Sequence, residues 1–546
     1  MALEIMSSRT LAPYFGSSLF VWGSLIGIVL TGLSLGYYYG GRRADVNPSY
    51  ATFSSIIFAA GGYTLLTTLG SSSIFSFVLA MNLGERFAPL LVSALLLGPP
   101  SICLGMISPY AIRLSTKKIT QVGQTTGNLY AISTVGSIIG TFLTAFFLIP
   151  EATLTTNLYG VSMVLIATSL VGLPLRRKGV AVVAVSVSLA LIMSPPLTMV
   201  GVVEQRDTLY HRLVVLDDGV GWIRTLLLDN NFHSAMDLRD PDRIVYLYTG
   251  FFHIGMAYNP EVKDVLFIGG GGFSGPKRFL KDYEDISVDV VEIDGDVVEV
   301  ARQYFSVVPN ERLNIYVADG RTYLMGSEKK YDLIILDAYA RTYVPFHLMT
   351  KEFHELLSRH LSEEGVIISN VITALEGDAS NLLRAELKTM MAVYPRVEVY
   401  KVSVIAADSF VQNTIVVASK YDQSLTTEEL LQNAERRVKV PGIQNMLAQR
   451  YTGVIDISQS PILTDDYAPV ESLLNPVTGR PYVKVVVNPQ NIVVSEIQKT
   501  EYLEEVLEFG PTSNGIMIVG LIVGSLILLW GRMREKKFTM MVTSSN

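Results

Sequence analysis

A chain of 546 residues is too long for one ordinary domain. Only 17% of its residues are charged and its mean hydropathy is +0.36, which excludes a wholly soluble protein, where about a quarter of residues carry charge. The net charge of −7 argues against a nucleic-acid partner, and the single cysteine, Cys103, excludes an internal disulfide and a cysteine-based zinc site.

These averages hide a division near residue 200. All six histidines and most acidic residues lie beyond it, whereas the first 199 residues are largely apolar. Apolar runs near 14–38, 52–70, 88–110, 128–149, 155–174 and 179–198 are each about long enough to cross a bilayer as a helix, and a seventh lies near 514–531. Six such runs packed as a water-soluble core would leave no polar surface to face solvent. The first run also lacks the short apolar core and small-residue cleavage site of a signal peptide. Residues 71–81 are too short to span alone and read as an extension of the second helix or an interfacial piece. Basic residues follow the first run (Arg42, Arg43), the third (Arg113, Lys117, Lys118), the fifth (Arg176, Arg177, Lys178) and the seventh (Arg532, Arg534, Lys536, Lys537), while the alternate loops carry almost none. Positively charged loops stay in the cytoplasm, so the sequence predicts a multi-pass cell-membrane protein with its large polar part outside.

That polar part begins near residue 200. The expected organisation is a transmembrane region of about six helices (1–199), a β-rich subdomain (200–260), a Rossmann-like domain (261–485), a linker (486–512), and a last helix with a basic tail (513–546). Tyr210–Leu216 and Thr225–Leu228 are β-rich, with Asp217-Asp218-Gly219 as a turn between them. Strands follow at Asp264–Ile268, Val288–Glu292, Ile315–Gly320, Asp332–Asp337 and Gly365–Ser369, alternating with helices at Pro276–Tyr283, Asp296–Phe305 and Thr350–Leu361. Such alternation predicts a parallel sheet with helices on its faces.

Ligands of such sheets bind beyond the carboxyl ends of the strands. The run Gly269-Gly270-Gly271-Gly272 ends the first strand and lets a ligand approach the backbone closely. Glu292 ends the second strand, 22 residues past Gly270, where an acid bonds ribose hydroxyls. Asp319-Gly320 and Asp337 end the next two strands. Together they predict an adenosyl ligand. Phe273 and Ser274 break the glycine spacing of a dinucleotide site, and no Walker lysine follows for a nucleoside triphosphate.

In order and spacing, Val265–Gly271, Val291-Glu292-Ile293-Asp294, Ala318-Asp319-Gly320 and Tyr331–Asp337 resemble spermidine synthase. Leu228-Asp229-Asn230 resembles that family's Leu-Asp-Gly segment, and Tyr246 the tyrosine of its Tyr-His/Gln-Glu segment. Ala12–Ser18, Gly40–Asp45 and Leu463–Val470 are similar to the branch in which such domains are fused to transporter-like membrane helices. The resemblance implies a multi-pass helical membrane region joined to an α/β domain of the S-adenosylmethionine methyltransferase type. The implied reaction is transfer of an aminopropyl group from decarboxylated S-adenosylmethionine to a polyamine or other amine.

By the same resemblance Asp337 is the proton acceptor. Gly269, Gly270, Gly271, Glu292, Asp319, Gly320 and His211 hold the nucleoside, Tyr246 positions the amine, no metal or resident cofactor is needed, and a homodimer is compatible. Three departures stand out: Gly272 and Ala340 where the family has aspartates, and Leu247-Tyr248 for its His/Gln-Glu pair. A dicationic polyamine needs several carboxylates, since an unpaired buried ammonium is costly. Two other classes therefore stay open: an S-adenosylmethionine-dependent transferase of another kind, or a transporter or sensor that binds polyamine or nucleoside without chemistry. Charged residues within the spans, which a transporter would use, are nearly absent.

Overall fold

A computed structural model describes residues 1–498 apart from 16–17, 82, 117–120, 194–200, 220–221, 230, 342, 422–424, 478–479 and 489–492. The chain forms two compact units: residues 200–503 together with 11–19 make one, and most of the first 199 residues the other. The run near 514–531, the basic tail, Lys117, Lys118 and Asn230 lie outside the described residues.

The first unit, made of most of the first 199 residues, is helical, with the end of α1 from Leu11 in the second: α1 (Ala2–Phe15), α2 (Leu19–Val46), α3 (Tyr50–Leu69), α4 (Ser71–Ala80), α5 (Gly84–Ser115), α6 (Val122–Leu143), α7 (Leu154–Ser169) and α8 (Leu175–Met193). A π turn over Thr144–Leu148 continues α6. Among the described residues, four stretches are long and apolar enough to cross a membrane: Leu19–Val46, Tyr50–Leu69, Arg86–Ser115 and Val122–Leu148. The fifth and sixth apolar runs also lie on helices, but α7 has 16 residues and α8 opens on Leu175-Arg176-Arg177-Lys178. Residues 71–80 form a separate helix, because Gly70 caps α3 rather than continuing it. Small residues bring α2 and α5 together. A Cβ on Gly36 would lie 2.3 Å from the Ile102 carbonyl oxygen, and one on Gly40 would lie 2.7 Å from the Met106 Cα.

The second unit holds two sheets. Strands β1 (Val202–Asp207), β2 (Arg212–Asp217), β3 (Ile223–Leu228) and β4 (Asn231–Asp237) form an antiparallel meander. The larger sheet contains β5 (Asp264–Ile268), β6 (Ser287–Glu292), β7 (Leu313–Val317), β8 (Tyr331–Leu336), β9 (Leu361–Thr373), β10 (Arg396–Lys401), β11 (Val411–Ser419), β12 (Tyr482–Val487) and β13 (Val493–Gln498). Helices α9 (Ser274–Asp282), α10 (Gly295–Tyr304), α11 (Gly320–Met325), α12 (Lys351–His360) and α13 (Asn381–Met391) connect its strands. From β7 the order is β7-β6-β5-β8-β9-β11, with β10 also paired to β11. Numbered from β5, that is 3-2-1-4-5-7-6 with an antiparallel seventh strand. This is the methyltransferase-type variant of the Rossmann sheet.

The central strands are apolar throughout because both faces are covered. Val265–Ile268 and Leu333–Leu336 are each at most 2% exposed. The sheet also extends past Val485, where the sequence placed the end of the domain. Strands β12 and β13 pair antiparallel from Tyr482↔Gln498 to Val487↔Val493, because two valine-rich stretches meet in register. Part of the expected 486–512 linker is therefore sheet. This hairpin joins β11 only at Val411 and Gln412, and Gln412 lies opposite Thr373, the last residue of β9. The hairpin thus sits at the carboxyl edge of the sheet, where the ligand-binding loops begin.

Candidate functional site

Every strand-end residue singled out in the sequence lies on this carboxyl edge. Gly269 follows β5 with φ +99°, and a Cβ there would lie 2.4 Å from the Asp337 carbonyl oxygen. Only glycine allows the ends of β5 and β8 to come so close. Glu292 ends β6, Asp319 caps α11 after β7, and Asp337 follows β8.

Glu292 is nearly buried at 8% exposure, and it is the acceptor that shapes the glycine loop. One carboxylate oxygen accepts the Gly270 and Gly271 amides at 2.8 and 3.1 Å, and the other accepts the Asp294 amide at 3.1 Å. A carboxylate offers about four acceptor positions, so roughly one remains for a ribose hydroxyl rather than the two bonds a free strand-end acid would make. Removing this side chain also strands the Gly270, Gly271 and Asp294 amides, so Glu292 supports the fold of the loop as well.

Asp294 extends the cluster. Its carboxylate accepts the Thr208 hydroxyl at 2.5 Å, and that hydroxyl in turn accepts the Tyr210 and His211 amides. Burial raises the Asp294 pKa despite those bonds. His211 is held by Asp229, whose carboxylate meets the imidazole Nδ1 at 2.8 Å and accepts the Arg212 amide at 2.9 Å. Burial opposes its protonated form, but the Asp229 hydrogen bond and the charges of Asp229, Asp294 and Glu292 outweigh it and raise the pKa. Its amide, through the Thr208 hydroxyl, links His211 to Asp294 beyond the end of β6. His233 behaves oppositely: burial and the neighbouring His211 lower its pKa to about 4, so it is neutral at pH 7.

At the third strand end, Asp319 accepts the Thr322 amide at 2.8 Å and meets the His347 Nε2 at 2.9 Å. Burial alone would raise its pKa, but these bonds lower it, and the carboxylate stays charged. Gly320 packs onto Ile268, where a Cβ would come within 2.5 Å of a methyl carbon. Asp465, in the Leu463–Val470 segment, accepts both Arg321 guanidinium nitrogens and the Thr350 hydroxyl, which ties α11 to α12.

Asp337 has the most perturbed carboxylate at this edge. One oxygen accepts the Asn370 amide at 2.9 Å and the other the Tyr248 hydroxyl at 3.4 Å. Burial pushes its pKa up to about 6, with the Glu292 charge adding to the effect and the two hydrogen bonds opposing it. The Asn370 carbonyl accepts the Asn413 amide at 2.9 Å, and Asn413 accepts the Tyr482 hydroxyl. Tyr246 is buried, its ring stacked 6.4 Å from Tyr248.

Sequence reasoning missed Tyr248, Asn370, Asn413 and Tyr482. Tyr248 was noted only for lacking a carboxylate, yet its hydroxyl reaches Asp337. The two asparagines lie diagonally across paired strands, Asn370 opposite Ile415 and Asn413 opposite Ile372, a relation that only the β9–β11 pairing creates. Gly272 is explained by space. Its amide donates to the Ser234 hydroxyl at 2.8 Å, and a Cβ there would lie 2.7 Å from the Ser234 Cβ. Among the described residues, no group of three or more His, Cys, Asp or Glu side chains could hold a metal ion.

Residues 249–429 match the family model of the spermine/spermidine synthase domain. A polyamine aminopropyltransferase of Alkaliphilus metalliredigens is 36% identical over 171 residues, 30% of this chain and 59% of that protein. One of Vibrio vulnificus is 27% identical over 250 residues, 44% of this chain and 80% of that protein. The chain thus spans little more than half of the first relative and four-fifths of the second. The solved structure of spermidine synthase from Thermotoga maritima is 20% identical, covers 47% of this chain and 85% of its own, and has a TM-score of 0.38. Residues 249–429 are thus similar to the spermine/spermidine synthase domain, and the relatives matched here are named polyamine aminopropyltransferases, a class of transferase.

Two outcomes test the site. Replacing Glu292 with alanine removes one charge-assisted ribose bond of about 1.5–3 kcal/mol, so adenosyl affinity measured by calorimetry falls roughly tenfold or more. The melting temperature also falls, because the Gly270, Gly271 and Asp294 amides lose their acceptor. Unchanged affinity would contradict the placement. Replacing Gly272 with aspartate should lower stability without strengthening diamine binding, since Ser234 fills the space the side chain needs.

Proposed function

We propose that the second unit transfers an aminopropyl group from decarboxylated S-adenosylmethionine to an amine. The observation that carries this reading is Asp337, a carboxylate with its pKa raised to about 6 on the same strand edge as the Glu292–glycine loop. The amine nitrogen attacks the aminopropyl carbon attached to the sulfonium. As the carbon–nitrogen bond forms, the carbon–sulfur bond breaks, methylthioadenosine leaves, and the amine's proton passes to Asp337. A base with a pKa about a unit below the working pH is well matched to that transfer. Glu292 with the glycine loop is assigned to the ribose, and Asp319 with Gly320 to the adenine. The family match over residues 249–429 supports this assignment over a transferase of another kind.

The pH dependence follows from the sign of the Asp337 shift. Asp337 must be ionised to accept a proton, so kcat/KM should fall as the pH drops through about 6. Asp337→Asn should abolish that limb and lower methylthioadenosine release by about 10²–10⁴-fold. A carboxylate whose folded pKa lies above 3.8 loses stability as the pH rises through 4 to 6. Asp337→Asn should therefore not lower the melting temperature at neutral pH. If the wild-type protein releases no methylthioadenosine with any amine while binding the nucleoside well, the transporter or sensor reading replaces this one.

We also propose that the first unit anchors the protein in the cell membrane, with the catalytic unit on the outer side. The support is loop charge and four helices of spanning length. Four or six spans precede residue 200, according to whether neither or both of α7 and α8 cross. If neither crossed, the basic Arg177-Lys178 loop would lie outside, against the charge rule, so both are assigned as spans. Val454 is 95% exposed, which makes Val454→Cys on a Cys103→Ala background a suitable probe. An impermeant thiol reagent applied to intact cells should label it and spare a cysteine placed in the 532–537 tail. The reverse pattern would overturn the assignment.

A further inference from the structure

An amide side chain fills the same space in either orientation, so the end it turns toward a carboxylate depends on its other partners. Asn370 and Asn413 are both buried, and they are bonded to each other. Asn370 gives an N–H to Asp337 at 2.9 Å and receives one from Asn413 at 2.9 Å. The Asn413 carbonyl in turn accepts the Tyr482 hydroxyl. Burial raises the Tyr482 pKa, so the hydroxyl keeps its proton and donates throughout the neutral range. If both amides turned over, Asn413 would present an N–H to Tyr482, and the buried hydroxyl hydrogen would lose its acceptor. The tyrosine therefore sets the direction of the whole run.

Backbone pairing keeps Tyr482 in place. It stands opposite Val411 where β12 joins β11, which brings it beside Asn413 two residues on. Farther along, β12 pairs with β13, the Leu247 amide donates to the Val485 carbonyl at 3.0 Å, and the Val487 amide donates to the Val245 carbonyl at 2.8 Å. The segment bonded there leads into Tyr248, whose hydroxyl donates to the other Asp337 oxygen at 3.4 Å. Both oxygens of the proposed base are thus tied to β12, one through Tyr248 and one through Tyr482.

We infer that Tyr482 is a positioning residue for Asp337: by donating to Asn413 it makes Asn370 present an N–H, not a carbonyl, to the carboxylate. This deepens the aminopropyl-transfer reading above and rests on it for the role of Asp337 as base. An N–H favours the ionised carboxylate, whereas a carbonyl oxygen favours the acid, which can donate to it. Without the Tyr482 hydroxyl the two directions of the amide run differ little. Protonated Asp337 can then bond a turned Asn370 carbonyl, which stabilises the acid and raises the pKa. The other groups acting on Asp337 are Tyr248 and the charge of Glu292, and Arg341 acts on Tyr482; the variants below leave all three in place.

The test follows Asp337 directly, by infrared titration of the full-length protein in detergent, reading the carboxyl band that Asp337→Asn removes. In wild type that band should titrate near pH 6. Tyr482→Phe deletes only the hydroxyl and should move the midpoint up by about one pH unit. The acid limb of kcat/KM should move with it, while the plateau at higher pH changes less than about threefold. Asn413→Leu breaks the run one link nearer Asp337 and should give the same rise, so it stands in if melting curves show Tyr482→Phe to be unfolded. The double variant should shift no further than Asn413→Leu alone, whereas a packing role for Tyr482 predicts independent effects. An unchanged midpoint in folded Tyr482→Phe, or additive shifts in the double variant, would overturn the inference. The expected shift in a protein whose wild type releases no methylthioadenosine with any amine would sustain the positioning of Asp337 and overturn aminopropyl transfer.

Discussion

The carboxylate of Asp337 is a charge kept where protein has largely replaced water, and much of the surrounding polar structure serves to hold it there. Asn370 can point its amide nitrogen at Asp337 because its carbonyl oxygen is held by Asn413. Asn413 is turned that way because its own oxygen accepts the Tyr482 hydroxyl. Each amide is oriented by the next, from β12 through β11 and β9 to the end of β8. Asn370 and Asn413 are at most 4% exposed, so breaking one link leaves a buried donor or acceptor unmatched, a cost of about 1–3 kcal/mol. The basicity of the site is thus set partly by a strand that does not touch Asp337.

This chain of bonds also marks where sequence reasoning succeeds. The strands Asp264–Ile268 and Tyr331–Leu336 are continuous apolar runs, and the glycine run and acids at their ends follow from where a parallel sheet leaves open space. Residues whose role is fixed by one element, such as Glu292 after β6 or Asp319 at the start of α11, were legible for that reason. Tyr248, Asn413 and Tyr482 act through pairings between segments far apart in sequence, and no local periodicity encodes them. β12 looked like the tail of a domain because strand propensity carries no record of partner. Hydropathy was a good guide to helix positions but not to helix ends, as Gly70 and the short α7 show.

The same pairings change how the departures from the family pattern read. An eroded polyamine site would leave a gap where each carboxylate was lost. At Gly272 there is no gap, since Ser234 occupies the space and takes the amide. Tyr248, standing in an acid's place, donates toward Asp337 instead of adding a negative charge beside it. At both positions the replacement is matched by a neighbouring group in space or hydrogen bonding.

The nucleoside half follows the opposite logic. The Gly270 and Gly271 amides are already bonded to Glu292, so the loop that faces the ligand is ordered before the ligand arrives. Binding then requires little further ordering of backbone, a cost that otherwise subtracts from affinity. The arrangement ties recognition to folding, because the carboxylate assigned to the ribose is also the one that holds the loop. A substitution at Glu292 therefore acts on both.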